Sequence, residues 1–232
     1  ASYLAPPPAT WQLENMKAVS KEREESKDLS QSTAFESLKT LRFYLIWLMM
    51  FINITCGIGL ISDASPFAQE SIGMTELQAA AMVGFLGLFN GVGRIGWASF
   101  SDVIGRPWTY STFFFIQIIA FFWLTQSPSA GVFQILVFVI LTCYGGGFAT
   151  LPAYLSDLFG TKELSTIHGY VLTAWAAAGL VGPTIISQIK EATKSYELTL
   201  NVFAIFFIIA LTASVALKLN IKYLQKKKLK IS

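Results

Sequence analysis

The sequence predicts an all-α, polytopic membrane protein with six transmembrane helices, and three observations carry that prediction. Hydrophobic residues fill 53% of the 232 positions and charged residues only 13%, about half the roughly 25% of an average soluble domain. Phe alone occurs 19 times, and the mean hydropathy is +0.54. The charges fall in blocks, separated by six apolar runs; about 20 residues at 1.5 Å rise suffice to cross a hydrocarbon core of roughly 30 Å. This composition excludes a disordered chain and a disulfide-rich mini-domain, and it argues against a soluble globular domain. The net charge of +3 is small, and no nucleic-acid partner is expected, since that would call for basic residues gathered on a folded face. The expected solvent is the lipid bilayer.

Residues 1–40 are polar, with six acids from Glu14 to Glu36 set against Lys17, Lys21, Arg23, Lys27 and Lys39. They contain no targeting signal, because no apolar core follows a basic start. Residues 5–8 predict extended polyproline structure, and residues 17–28 a solvated loop. Thr33-x-x-Glu36 is a capping-box pattern ahead of Leu38 and Leu41. The spans then follow in order at 41–62, 76–100, 107–126, 131–155, 164–188 and 198–217. A second capping box, Thr75-x-x-Gln78, opens the second span where hydropathy places its start. The bundle is thus expected at 41–218, followed by a basic tail at 219–232.

Orientation follows from the cations. With both chain ends cytoplasmic, 14 of the 17 Lys and Arg lie on the inner side, Lys190 and Lys194 lie outside, and Arg94 is within the membrane. The positive-inside rule therefore places both ends in the cytoplasm, as an even number of spans requires. The expected location is the cell membrane (plasma or inner).

Arg94 is the most informative residue, since a guanidinium in hydrocarbon costs several kcal/mol unless it is paired or wetted. On a helical wheel Gly84, Gly87, Gly91, Arg94 and Ala98 fall within about 80°. Two readings of that face stand open. One is helix packing through small residues, with Arg94 snorkelling to the inner interface. The other is a cavity in which Arg94 forks onto the carboxylate of an anionic substrate. On the fifth span His168, Trp175, Gly179 and Gly182 share a face. Trp175 is too central for an interface belt, so it is either a pocket wall or core packing. His168, the only histidine, is either a proton relay or a hydrogen-bonded interface residue. Gly145-Gly-Gly147 with Pro152, and Gly182-Pro183, are expected to weaken two helices near mid-membrane. Tyr144, Asn53, Asn90 and Gln117 bring hydrogen-bonding groups to similar depth. Cys56 and Cys143 are expected to be small buried hydrophobes without metal-ligand spacing. No paired-carboxylate set, H-E-x-x-H or G-x-S-x-G occurs, so no catalytic residue, metal or cofactor is expected.

Asn90-Gly-Val-Gly-Arg94, with Ser101-Asp102-Val-Ile-Gly105-Arg106 after it, resembles the second-half copy of the loop signature of the major facilitator superfamily. Gly145-Gly-Gly-Phe-Ala-Thr-Leu-Pro152, Asp157-Leu-Phe-Gly-Thr161 and Gly169-Tyr-Val-Leu-Thr-Ala-Trp175 through Gly179-Leu-Val-Gly-Pro183 resemble the oxalate/formate antiporter family within it. Tyr3-Leu-Ala-Pro-Pro-Pro8 is similar to that family's link after the sixth helix. The resemblance implies the C-terminal half of a twelve-helix carrier, helices seven to twelve behind a cytoplasmic central loop at 1–40. It also implies an N-terminal six-helix partner half, and secondary active transport of small organic anions by alternating access. Formate, pyruvate, lactate and oxalate are the candidate substrates. By its motif Arg94 matches the family's carboxylate-binding arginine, with Asn90, Tyr144 and Trp175 shaping the pocket. Asp102, Gly105, Arg106, Pro152, Gly182 and Pro183 take gating or structural roles, Asp102 as an anion near the positive end of the fifth span. Two departures stand out. No Lys or Arg occurs from Leu164 to Gln188, where the family's eleventh helix carries a second substrate-binding cation, which makes a monocarboxylate at least as good a fit as oxalate. Ala98 and Val103 replace a usual glycine and a usual cation of the loop motif. The alternative function is a six-helix membrane interaction or scaffold fragment that does not transport.

Overall fold

The computed structural model describes residues 31–126 and 129–229, with side chains through Lys226. The expectations for residues 5–8 and 17–28 lie outside the described residues. A four-residue helix, α1 (Ala34–Ser37), leads into six long ones: α2 (Leu41–Glu70), α3 (Glu76–Ile104), α4 (Arg106–Leu124), α5 (Ala130–Phe159), α6 (Leu164–Thr193) and α7 (Glu197–Leu229). All six are long and apolar enough to cross a membrane. Both expected capping boxes form. Thr33 N–H donates to Glu36 Oε2 (2.7 Å) and Thr75 N–H to Gln78 Oε1 (3.0 Å), while each threonine hydroxyl accepts the reciprocal bond. Between α3 and α4 the chain reverses on Gly105 alone, at φ 86°. A side chain there has room but the wrong backbone conformation, so the motif glycine is required by its dihedral.

Several helices outrun their apolar runs. α2 continues past residue 62 through Pro66 to Glu70, and α7 continues past residue 217 to Leu229. Hydropathy marks where lipid ends, whereas backbone hydrogen bonds carry a helix on into polar sequence. A second difference concerns the glycine and proline clusters. α5 runs unbroken through Gly145–147 and Pro152, and α6 through Gly182 and Pro183. One missing N–H within 30 residues does not end a helix whose neighbours hold it on both sides.

Those glycines serve close packing instead. A Cβ at Gly145 would overlap the Asn90 carbonyl oxygen, and one at Gly93 the Thr142 backbone, so α3 and α5 meet backbone to backbone. At Gly182 a Cβ would lie 2.5 Å from the Thr55 carbonyl oxygen, which brings α6 equally close to α2. Without water to drive apolar faces together, such small-residue contacts and interhelical hydrogen bonds hold membrane helices in place.

The main packing partners are α3 with α5, α2 with α6, and α4 with α7. Exchanging α2 for α5, α3 for α6 and α4 for α7 maps this set onto itself, as expected for two three-helix repeats of opposite sense. The aromatic core is shared by α4, α5 and α7 through Tyr110, Phe113, Phe114, Phe121, Tyr154, Phe203 and Phe207, all fully buried. The symmetry-related helices α3 and α6 stand apart. Only 22% and 28% of their apolar windows are buried, against 44% or more in the other four. Each leaves one face without a neighbour.

Candidate functional site

One stripe of the open surface of α3 has almost no side chains, while Leu77, Phe85, Leu88, Val92 and Ile95 stand exposed on the same helix. At Gly84, Gly87 and Gly91, along that stripe, a Cβ would meet nothing within 4 Å. Arg94 is exposed on the same helix, and none of the described acids pairs with it. The buried side of α3 fixes its position. Phe89 stacks on Phe138 of α5 at 4.2 Å, and the Trp97 indole N–H donates to Thr142 Oγ1 at 3.3 Å.

Arg94 Nε donates to Asn90 Oδ1 one turn back, at 3.1 Å. Its guanidinium carbon lies 5.9 Å from the centre of the Phe148 ring, within the roughly 6 Å reach of a cation–π contact. Phe148 meets Tyr144 edge to face at 5.3 Å and Trp175 edge to face at 6.4 Å. Tyr144 is itself buried, its ring lying across Gly57 of α2 where any Cβ would collide with it. Trp175 is 52% exposed, on the open face of α6. The four sequence-derived pocket residues, Arg94, Asn90, Tyr144 and Trp175, thus come together from α3, α5 and α6 around Phe148.

Sequence reasoning missed Phe148. Its signal was present, since it follows the glycine triplet and lies one helical turn from Tyr144. Two amides fall elsewhere. Asn53 and Gln117 are fully buried and bond to each other at 3.1 Å between α2 and α4, so they belong to the packed interior. The burial that makes these amides pair also removes them from the open face. His168 is half-buried near the start of α6, without a hydrogen-bond partner among the described residues.

Chemically, Nε of Arg94 is occupied by Asn90, which orients the group and leaves the two terminal nitrogens free. That fork matches two oxygens of a planar oxyanion. Between Glu76 and Asp102 on α3, and from Leu164 to Gln188 on α6, Arg94 is the only charged side chain. The described residues hold no cluster of three or more His, Cys, Asp or Glu suited to a metal, and both cysteines are buried thiols.

The motif residues gather at the end of the bundle where α3 meets α4. Arg106 pairs with Asp102 at 2.6 Å, bonds to the Ser101 hydroxyl, and lies 4.0 Å from Asp157 at the end of α5. They line a cleft of about 270 Å³ with Tyr154, Ile221 and Gln225. Nearby, Arg42 donates to the Leu158 carbonyl at 2.8 Å and lies 5.1 Å from the Phe159 ring centre. The Glu163 carboxylate accepts from the Ala34 N–H at 2.8 Å, tying α1 to the start of α6. At the opposite end Lys190 pairs with Glu70 at 2.9 Å and bonds to the Tyr196 hydroxyl, which also faces Asp63 at 3.4 Å. Burial raises the Tyr196 phenol above its ordinary pKa.

A family profile described as Major Facilitator Superfamily matches residues 2–183. The oxalate:formate antiporter of Oxalobacter formigenes is 30% identical over 149 residues, which cover 63% of this chain and 35% of that protein. The probable nitrate transporter NarT of Staphylococcus aureus (strain JH9) is 20% identical over 156 residues, covering 65% of this chain and 40% of that protein. The matched regions thus span between a third and two fifths of these relatives' length. Six membrane-length helices in two equivalent sets of three, the Asp102–Arg106 turn and the profile match over most of the sequence lead to one assignment: this multi-pass membrane chain belongs to the Major Facilitator Superfamily.

Proposed function

We propose that this chain forms half of a secondary transporter that carries small planar oxyanions by alternating access, with Arg94 as the residue that binds them. Family membership favours a transporter over an enzyme. The observation that carries the reading is the unpaired Arg94 fork at membrane depth, oriented by Asn90 and walled by Phe148, Tyr144 and Trp175. The printed names of the two relatives mention oxalate, formate and nitrate. All three present coplanar oxygens, the geometry a guanidinium matches. With one cation on this face, a monoanion such as formate, pyruvate or lactate is neutralised fully, whereas oxalate keeps one charge.

The open faces of α3 and α6 fit a second six-helix half docked against them, with the substrate between the two. The equivalence of the two three-helix sets supports rocking of one half against the other. Asp102, Arg106 and Asp157 fit a cytoplasmic gate that is held while the pocket faces outward. The cation count supports both ends of the chain lying in the cytoplasm of the cell membrane.

The test is uptake of radiolabelled formate, oxalate and nitrate by vesicles carrying the full-length protein, comparing wild type with Arg94→Ala and Arg94→Lys. The reading expects uptake to vanish in Arg94→Ala and to weaken in Arg94→Lys, which keeps the charge but loses the fork. Wild-type uptake by Arg94→Ala would sink it.

A further inference from the structure

Helix α7 does not stop where its apolar run stops. It continues to Leu229, and the extension places Lys218, Lys222 and Lys226 four residues apart. That spacing stacks the three ammonium groups along one helical face. Among the described residues, neither Lys218 nor Lys222 forms an ion pair. Of the described acids at the same end, Asp102 and Asp157 are engaged with Arg106, and Glu36 and Glu163 accept from the Thr33 and Ala34 N–H groups. The sequence adds Lys227, Lys228 and Lys230 immediately beyond.

Aromatic and aliphatic groups flank this stripe. Lys218 Nζ sits over the Trp108 ring of α4, 2.9 Å from its centre. Trp108 is 57% exposed, and Leu219 and Tyr223 on the extension are more exposed still. Trp108 lies in the first turn of α4 beside Arg106, at a depth where amphipathic rings settle among lipid headgroups. Unpaired lysines with an exposed tryptophan and tyrosine, at the point where a helix leaves hydrocarbon, form an electrostatic complement to a phosphate carried on acyl chains. An aqueous partner has no use for the apolar flank.

We infer that Lys218, Lys222 and Lys226, with Trp108, form a binding surface for the headgroups of anionic phospholipids in the leaflet at this end of the bundle. That leaflet is the cytoplasmic one under the orientation proposed above, but the binding itself depends on neither the orientation nor the substrate. The lysines take the phosphate, and Trp108, Leu219 and Tyr223 line the start of the acyl chains. The surface anchors the outer side of the α4–α7 pair, away from the open faces of α3 and α6.

The experiment reconstitutes the full-length protein in nanodiscs of phosphatidylcholine with about one third phosphatidylglycerol. Native mass spectrometry then compares the lipids retained by wild type, by K218Q/K222Q/K226Q and by K218R/K222R/K226R. Wild type and the Arg variant should retain phosphatidylglycerol in preference to phosphatidylcholine. The Gln variant should lose that preference by at least about tenfold, since each surface cation contributes about a factor of five toward an anionic lipid. Its unfolding midpoint in phosphatidylcholine alone should match wild type, separating lost binding from lost folding. Equal retention of phosphatidylglycerol by wild type and the Gln variant would overturn the inference. So would displacement of the lipid by polyglutamate, used as a probe for an acidic protein partner, at lower charge concentration than phosphatidylglycerol itself requires. Loss of lipid preference with Arg94-dependent uptake intact would support this surface independently of the transport reading.

Discussion

Gly145→Ala tests the contact that positions the site. An ideal Cβ at Gly145 overlaps the Asn90 carbonyl oxygen and falls 3.0 Å from Asn90 Oδ1 and 3.1 Å from its carbonyl carbon. The colliding atoms are mostly backbone, so no rotamer change relieves them, and α3 must retreat from α5 by several tenths of an ångström. Overpacking of this kind costs about 1–3 kcal/mol. Alanine regains about 1 kcal/mol of helix propensity over glycine, leaving a net loss of about 0–2 kcal/mol. Gly131 on the same helix has nothing within 4 Å of its Cβ, and Gly131→Ala should stay within about 0.5–1 kcal/mol of wild type or gain slightly. The assay is reversible unfolding of the full-length protein in mixed micelles, followed by circular dichroism. Because Asn90 Oδ1 also holds Arg94 Nε, Gly145→Ala should weaken anion uptake more than its fraction unfolded explains. Equal stability of the two variants, or uptake in Gly145→Ala that tracks folded protein alone, would refute the reasoning.

Other consequences follow from the two ends of the bundle. Arg42→Ala removes a donor to the Leu158 carbonyl and a cation beside Phe159, and should destabilise by about 2 kcal/mol in the same unfolding assay. The Thr33 N–H, and then its hydroxyl, hold the Glu36 carboxyl below its ordinary pKa. Its contribution is therefore present above the ordinary carboxylate range and is lost as pH falls through the depressed value. Carboxyl carbon NMR should follow that titration, and Thr33→Ala, which removes the hydroxyl but keeps the N–H that is the larger cause, should raise the value only part of the way back to the ordinary carboxylate range. Asp102→Asn frees Arg106 from the nearer of its two acidic partners (2.6 Å) and should alter transport rate while leaving anion affinity unchanged, measured as separate uptake rate and binding constants.

Much of the architecture was legible because lipid imposes simple constraints. Six apolar runs of sufficient length, separated by charge blocks, admit little besides six helices, and Thr75-x-x-Gln78 marked one start to the residue. The small-residue face around Arg94 was equally legible, because 3.6-residue periodicity gathers Gly84, Gly87 and Gly91 beside it whatever the tertiary fold. Helix ends were not. Glu70 and the lysines of α7 look like loop or tail residues in hydropathy, yet hydrogen bonding and the Glu70–Lys190 pair keep polar sequence helical. Glycine and proline misled for a related reason. Taken alone they weaken a helix, but Gly145 and Gly182 are where neighbouring backbones touch, which only the assembled bundle reveals. Asn53 and Gln117 differ from Arg94 in facing: both are buried and bonded to each other, which again only the assembled bundle reveals. Phe148 carried a weak signal, its place behind the glycine triplet one turn after Tyr144, and among 19 phenylalanines the packing of α3, α5 and α6 gives it weight.

The central claim is that one guanidinium holds the transported anion, and equilibrium binding tests it most directly. Purified full-length protein, its folding checked by unfolding midpoint, would be titrated with formate, oxalate and nitrate as wild type, Arg94→Lys and Arg94→Gln. The account predicts that Arg94→Gln loses affinity for each bound anion by about 10–100-fold, the equivalent of one charge-assisted contact of about 1.5–3 kcal/mol. Arg94→Lys should fall between the two. Undiminished binding of any of these anions by a folded Arg94→Gln protein would contradict it.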